Sequence, residues 1–258
     1  MAKYDESSIK VLKGLEGIRA KPSMYIGPID SYGLFTILRE ALDNTVDEYY
    51  GGRNKECTVV LGKDYNLISD AGQGIPVGIH KTEKKPTIEV ILSSLHAGGK
   101  LEKSDAYANS IGTHGVGVKA LNALSTNFEC WTNRDGQWYY IAFEKGVLTT
   151  PLKKVSKPKE HPYKTGTLIK YTPDLKIFDK GSKLNEDLVH EWAETTAYLS
   201  DGYKITVKGA EEETYQFKKG LEDWLENITS KDELNCETIG KPIRFKSPNA
   251  DFILAFSD

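Results

Sequence analysis

The chain has 258 residues, 39% of them hydrophobic and 28% charged, with a formal net charge of −3. That composition suits an ordinary soluble globular protein of one large or two modest domains, and the charge excludes a surface built mainly to grip nucleic-acid phosphates. Cys57, Cys130 and Cys236 fit neither a zinc spacing nor a disulfide framework, and there is no signal peptide or membrane-length apolar run, so a reducing cytoplasm is expected.

Leu34, Leu38, Ala41, Leu42, Thr45 and Tyr49 recur near the helical period over residues 34–50, and Gly51 and Gly52 end that helix. Two strands, 56–62 and 65–72, are predicted next, then a helix over 86–99 closed by two glycines. Residues 98–110 are polar and aperiodic, and they lead into "IGTHGVGVKALNALS", where three glycines precede a helix. Segments 126–132 and 137–146 flank an Asn-Arg-Asp-Gly turn and predict a hairpin. A strand over 166–173, a helix over 185–200 capped by Asn185, and a strand pair at 201–209 and 213–219 follow. The basic, proline-containing stretch 153–164 reads as an exposed loop. Beyond residue 219 a short helix (220–228) and an apolar strand (251–258) read as the start of a second domain, the chain being a fragment. The pattern is α+β: a mostly antiparallel sheet covered on one face.

Three stretches could carry chemistry. In the first helix Glu40 and Asn44 lie four apart, with Asp47 and Glu48 a turn later, so a carboxylate and an amide share an edge that could position a water and a divalent cation. In "SDAGQGIPVG" a strand ends at Asp70, and Gly72 and Gly74 bare the backbone beside it, so a flat ring bearing an amino group could approach the carboxylate. Gly112, Gly115 and Gly117 leave backbone N–H groups at a helix start able to face an anion, with Lys100 as a point charge in the same stretch. Each alone is weak: a solvated helix face, a glycine turn and a hinge would look the same.

In this order and spacing, the three together resemble the GHKL ATPase family. The segments "SSIKVLKGLEGIRAKPSMYIG", "EALDNTVDE", "DAGQGIPVGIH", "LHAGGK", "GTHGVGVKALNALS" and "TGTLIKYTPD" narrow the resemblance to the ATPase subunits of type IIA DNA topoisomerases, gyrase and topoisomerase IV. It covers nearly the whole chain and implies the Bergerat two-layer sandwich, an ATPase domain over 1–219 and the start of a transducer domain over 220–258. It implies ATP and Mg²⁺ as cofactors, with Glu40 the general base, Asn44 the Mg²⁺ ligand and Asp70 the acceptor for the adenine amino group, joined by Thr167 through water. Glu48, Gly72, Gln73, Gly74, Ile75 and Pro76 would line the nucleotide. Gly112, Thr113, His114, Gly115, Val116 and Gly117 would meet the phosphates with Lys100, under a lid of about residues 98–117 that carries Tyr107. Tyr4 and Ile9, on an amino-terminal arm, would join a homodimer, Tyr4 closing the neighbour's nucleotide site. The partners implied are a DNA-cleaving subunit and duplex DNA. The family's further catalytic lysine lies in the transducer, so weak or absent turnover is expected of this piece alone.

Some positions depart from the family pattern. Gln73 stands where an arginine pairs with Glu48, leaving at most a neutral-to-charged hydrogen bond. Ile111 replaces a glycine and Thr36 a histidine. Tyr140 falls where the family has an arginine at the rim of the adenine pocket, used by coumarin inhibitors, so weakened coumarin binding is expected. These departures suggest a divergent branch, viral or plasmid-borne. A catalytically silent nucleotide-binding module that controls assembly is the alternative, disfavoured because Glu40 and Asn44 are both present.

Overall fold

A computed structural model of the chain describes Leu12 and residues 14–95, 116–230, 238–247 and 250–257. Two short helices, α1 (Glu16–Ala20) and α2 (Ser23–Ile26), precede the long α3 (Ser31–Tyr50), then β1 (Glu56–Leu61), β2 (Asn66–Asp70), α4 (Thr87–Ser93) and α5 (Gly117–Ala123). There follow β3 (Ser125–Arg134), β4 (Gln137–Glu144), β5 (Val147–Val155), β6 (Thr167–Pro173), α6 (Glu186–Leu199), β7 (Lys204–Lys208), β8 (Glu212–Tyr215), α7 (Leu221–Ser230), β9 (Thr238–Ser247) and β10 (Ala250–Ser257).

Local chemistry accounts for the main elements. Asp30 caps α3 by accepting from the amides of Tyr32 and Gly33, and Asn185 caps α6 by accepting from Asp187, as its sequence position foretells. The β3–β4 turn places Asp135 and Gly136 at φ of 53° and 78°, the two left-handed residues of a tight hairpin. The strands form one eight-stranded sheet in the order β5-β4-β3-β6-β2-β1-β7-β8, antiparallel except where β1 and β7 run parallel. This is the α+β sandwich expected. The alternating side chains Cys57, Val59, Ile68, Phe128, Cys130, Ile141, Phe143, Ile169 and Tyr171 face Leu38, Ala41 and Leu42 of α3, Leu121 of α5 and Val189 of α6 in one core.

Two expectations need correction. Strand β5 occupies residues not predicted as strand, because it is an edge strand whose exposure alternates and whose Pro151 breaks the pattern. The basic stretch 153–164, whose first three residues belong to β5, is also more than an exposed loop. His161 is buried edge-on to Trp138 (4.8 Å) and Tyr163 (5.6 Å), its Nε2 lies 2.9 Å from the Thr165 carbonyl, and Tyr163 hydrogen-bonds Thr58 at 2.7 Å. Residues 156–166 therefore form a strap across the sheet face away from the helices, ending where Gly166 meets Asp70 at the end of β2 and Thr165 donates to the Ala71 carbonyl just beyond it. The helix predicted over 86–99 is shorter, running from Thr87 to Ser93 with Ser94 as its C-cap and Leu95 in a turn. Beyond β8, α7 and a separate β9–β10 hairpin follow, and Arg244 of that hairpin binds Asp251 at 2.6 Å and Asp201 at 2.9 Å.

Candidate functional site

The site is built around one face of α3. Glu40, Asn44 and Glu48, each four residues apart, form a single row along the helix. Glu48 lies at one end, near Asp70, and Glu40 at the other, against the start of α5.

Asp70 ends β2 on the helix-facing side of the sheet. Its Oδ1 accepts from the Gly72 amide at 2.8 Å and from the Thr167 amide at 3.3 Å, so Thr167 touches Asp70 directly through its backbone. Burial pushes the Asp70 carboxyl up to about 7; the Glu48 charge adds to the rise, while the Gly72 and Thr167 hydrogen bonds oppose it. The surrounding backbone leaves no room for side chains. A Cβ on Gly166, at φ +119°, would lie 1.8 Å from the Asp70 carbonyl oxygen, and one on Gly74, at φ +75°, would lie 2.0 Å from that of Asn133. The turn holding Gly72, Gln73, Gly74, Ile75 and Pro76 is seated on β3: the Ile75 amide donates to Thr132 Oγ1 at 2.7 Å, and Arg134 Nη1 donates to the carbonyls of Gln73 and Gly74, each at 3.3 Å.

At the other end, a Cβ on Gly117 would lie 1.9 Å from Glu40 Oε2, so only glycine lets α5 begin here with that carboxylate in place. Val116 is the N-cap of α5, and among the described residues no side chain caps it, so amides of the first turn face the space beside Glu40. The far end of α5 is clamped. Arg19 donates to the Ala123 carbonyl at 2.7 Å and pairs with Asp174 at 2.6 Å, and Asn122 Nδ2 donates to the Leu92 carbonyl at 2.9 Å.

The residues also fit a magnesium ion. Asn44 Nδ2 donates to the Glu40 carbonyl at 2.8 Å, which turns the side-chain oxygen, the hard donor Mg²⁺ takes, to the other side. Among the described residues no group of three or more His, Cys, Asp or Glu makes a cation cage, so a cation here would arrive with ligands of its own, as Mg²⁺ does on phosphates.

Sequence reasoning misses two residues of the site and misplaces one. Glu48 has an arginine partner after all: Arg53 Nε lies 3.0 Å from Oε2 and Nη2 lies 3.1 Å from Oε1. The signal was the Gly51-Gly52 pair, which folds the chain back over the last turn of α3. An arginine also stands over the Gln73–Gly74 turn beside Asp70, and it is Arg134. Tyr140 lies on the opposite face of the sheet, its ring 4.8 Å from Trp131 and its hydroxyl donating to Glu129 at 2.7 Å. Strand parity carries the signal: Thr132 and Arg134 alternate with Cys130 on the helix-facing side, whereas Tyr140 adjoins core-facing Ile141 and shares the outer face with Trp138. The weakened coumarin binding expected from Tyr140 loses its premise. Tyr4, Ile9, Lys100, Tyr107, Gly112, Thr113, His114 and Gly115 lie outside the described residues.

No family model matches the chain. It is 43% identical over 231 residues to the B subunit of DNA topoisomerase 4 from Mycoplasma capricolum subsp. capricolum, covering 88% of this chain and 35% of that protein. It is 39% identical over 251 residues to the B subunit of DNA gyrase from Helicobacter pylori, covering 96% of this chain and 31% of that protein. The chain thus spans about a third of the length of these curated relatives. Its fold is similar to the crystal structure of the 43K ATPase domain of Thermus thermophilus gyrase B in complex with an aminocoumarin, with a TM-score of 0.76 and 30% identity, covering 92% of this chain and 60% of that one. With the buried Asp70, the Glu40–Asn44–Glu48 row and the Gly117 start of α5 in one site, the chain belongs to the family of ATPase domains found in gyrase and topoisomerase IV, the type IIA topoisomerases.

Proposed function

We propose that the chain binds ATP with Mg²⁺ and hydrolyses it, as the ATP-operated clamp portion of a type IIA DNA topoisomerase. One observation carries this reading: a single helical row links a buried acid beside bare backbone to a second acid beside a bare helix start. From Glu40 to Glu48 is eight residues, roughly 12 Å of helix, the scale of an extended nucleoside triphosphate. Asp70 Oδ1 is taken by two amides, so Oδ2 is the oxygen that accepts the adenine amino group. Gly117 and the amides after it receive the terminal phosphates, and Glu40 beside them orients the attacking water. Asn44 would hold Mg²⁺, which, when bound, neutralises charge on the triphosphate.

The wider assembly follows from the resemblance and the relatives: an amino-terminal arm with Tyr4 and Ile9 closing a homodimer when ATP binds, a DNA-cleaving subunit as partner, and duplex DNA passing through the closed clamp. The distinct β9–β10 hairpin supports residues 220–258 as the start of a transducer domain. Arg134 at the pocket rim supports aminocoumarin binding at the base end.

The test is titration with a non-hydrolysable ATP analogue, following affinity and molecular mass, alongside phosphate release. In a chain extended through the full transducer domain, E40A keeps analogue affinity within about threefold but loses phosphate release by roughly 100-fold, and N44A loses the Mg²⁺-dependent part of both. Phosphate release unchanged in both variants would refute hydrolysis at this site and favour a silent nucleotide-binding module.

A further inference from the structure

Two carboxylates flank the bare Gly72. A Cβ placed there would lie 2.8 Å from Asp70 Oδ1 and 3.7 Å from Glu48 Oε2. Like charges at such range in a partly desolvated site oppose each other's ionisation. The chain answers with a device outside the catalytic motifs. After α3, Gly52 adopts φ +72°, and the amides of Arg53 and Asn54 both donate to the Glu48 carbonyl, at 2.9 and 3.1 Å. This fold-back lays the Arg53 guanidinium on Glu48 through two parallel hydrogen bonds, the strongest geometry such a pair can take. The next residue, buried Asn54, holds the amide of Ala71 through its Oδ1 at 3.1 Å and donates to the Thr45 carbonyl and the Tyr203 hydroxyl, each at 2.9 Å. The same short link therefore fixes Glu48 and the residue that follows Asp70.

We propose that Arg53 is a positioning residue for the base end of the site, holding Glu48 by a two-point ion pair and balancing its charge so that Asp70 meets the base ionised. This rests on the reading of Asp70 as the acceptor for the base. The groups that face Asp70 are Glu48 from α3, the Cys57 thiol from β1, the Cys130 thiol from β3, the phenols of Tyr163 and Tyr203, and the amides and hydroxyl of Gly72 and Thr167. Burial raises both thiols and both phenols above their ordinary values, so they are neutral near pH 7. Burial causes most of the rise at Asp70, Glu48 is the charged neighbour that adds to it, and Arg53 is paired with Glu48.

The experiment measures the affinity of a magnesium-bound, non-hydrolysable ATP analogue as a function of pH for the wild type, R53M, R53K and E48Q/R53M, with thermal unfolding to establish that each is folded. R53M weakens binding about tenfold near neutral pH and moves the midpoint of the affinity profile upward by roughly half a unit to one. R53K falls between, because an ammonium cannot make the two-point contact. Adding E48Q to R53M returns the midpoint towards that of the wild type, an effect that a merely structural Arg53 would not show. A wild type that binds while R53M matches it in affinity and midpoint overturns the role of Arg53 alone, as does a midpoint in E48Q/R53M no lower than in R53M. A wild type that binds no analogue at any pH overturns the nucleotide reading beneath it.

Discussion

The two ends of the site are made by opposite means. At the base end a charged group is buried: Asp70 is held by main-chain amides from its own turn and from β6, and the walls around it are strand backbone. At the phosphate end a side chain is removed: Gly117 clears space so that a helix start and the Glu40 carboxylate can stand side by side. The first end stores unfavourable desolvation that a base can relieve. The second offers preformed dipoles to a ligand that brings its own charge and metal. On the proposed reading, specificity for the base would belong to the rigid sheet, and response to the phosphates to the junction of α3 and α5.

The largest separation between the ends is expected from D70N. Asn Oδ1 keeps both amides, so Nδ2 turns to the ligand and sets a donor against the base's amino group; analogue affinity falls roughly 100-fold. The same variant is more stable. The folded Asp70 carboxyl, at about 7, sits above its ordinary 3.8, so the stability it contributes is present below the ordinary value and is lost as pH rises through about 7. At about pH 8 D70N gains on the order of 2–4 kcal/mol in urea unfolding, a gain that fades towards pH 4. Equal stability of the two proteins at both pH values would contradict the buried-charge picture. At the opposite end, G117A forces Glu40 aside and, in the chain extended through the full transducer domain, lowers phosphate release about 30-fold or more, while the pH dependence of analogue binding, which belongs to Asp70, keeps its midpoint. A shifted midpoint would show that the ends are not separable.

A smaller effect is expected from R19A, which removes the clamp on α5 and leaves Asp174 without its ion pair. Burial tends to raise the Asp174 carboxyl, but the Arg19 hydrogen bond, the Lys176 amide and the Arg19 charge outweigh it and hold it below the usual range. Stability from Asp174 is therefore present above its ordinary value and lost as pH falls. R19A costs about 2 kcal/mol near pH 7 and less in acid, read by urea unfolding. A loss that is the same at both pH values would assign Arg19 a packing role only.

Much of this arrangement is legible in the sequence, because periodicity and caps are local. The stripe of α3, the Asn185 cap, the Asp-Gly hairpin and the strand ending at Asp70 all follow from neighbours within one turn or one strand. What escaped depends on position across the sheet or across a turn. Pro151 hides β5, which exists only because β4 offers it an edge. Arg53 belongs to Glu48 only once two glycines reverse the chain. Arg134 and Tyr140 are six residues apart on adjoining strands, and which of them stands on the helix-facing side depends on strand parity that composition does not reveal. His161 falls within a stretch that reads as an exposed basic loop, and only the sheet brings Trp138 and Tyr163 around it.

The most direct measurement is a crystal structure of the chain with Mg²⁺ and a non-hydrolysable ATP analogue. The adenine amino group is expected on Asp70 Oδ2, with the terminal phosphate between the Gly117 amide and Glu40 and the metal on Asn44. A base bound away from Asp70, or phosphates that do not reach Gly117, would contradict a single site spanning the two ends.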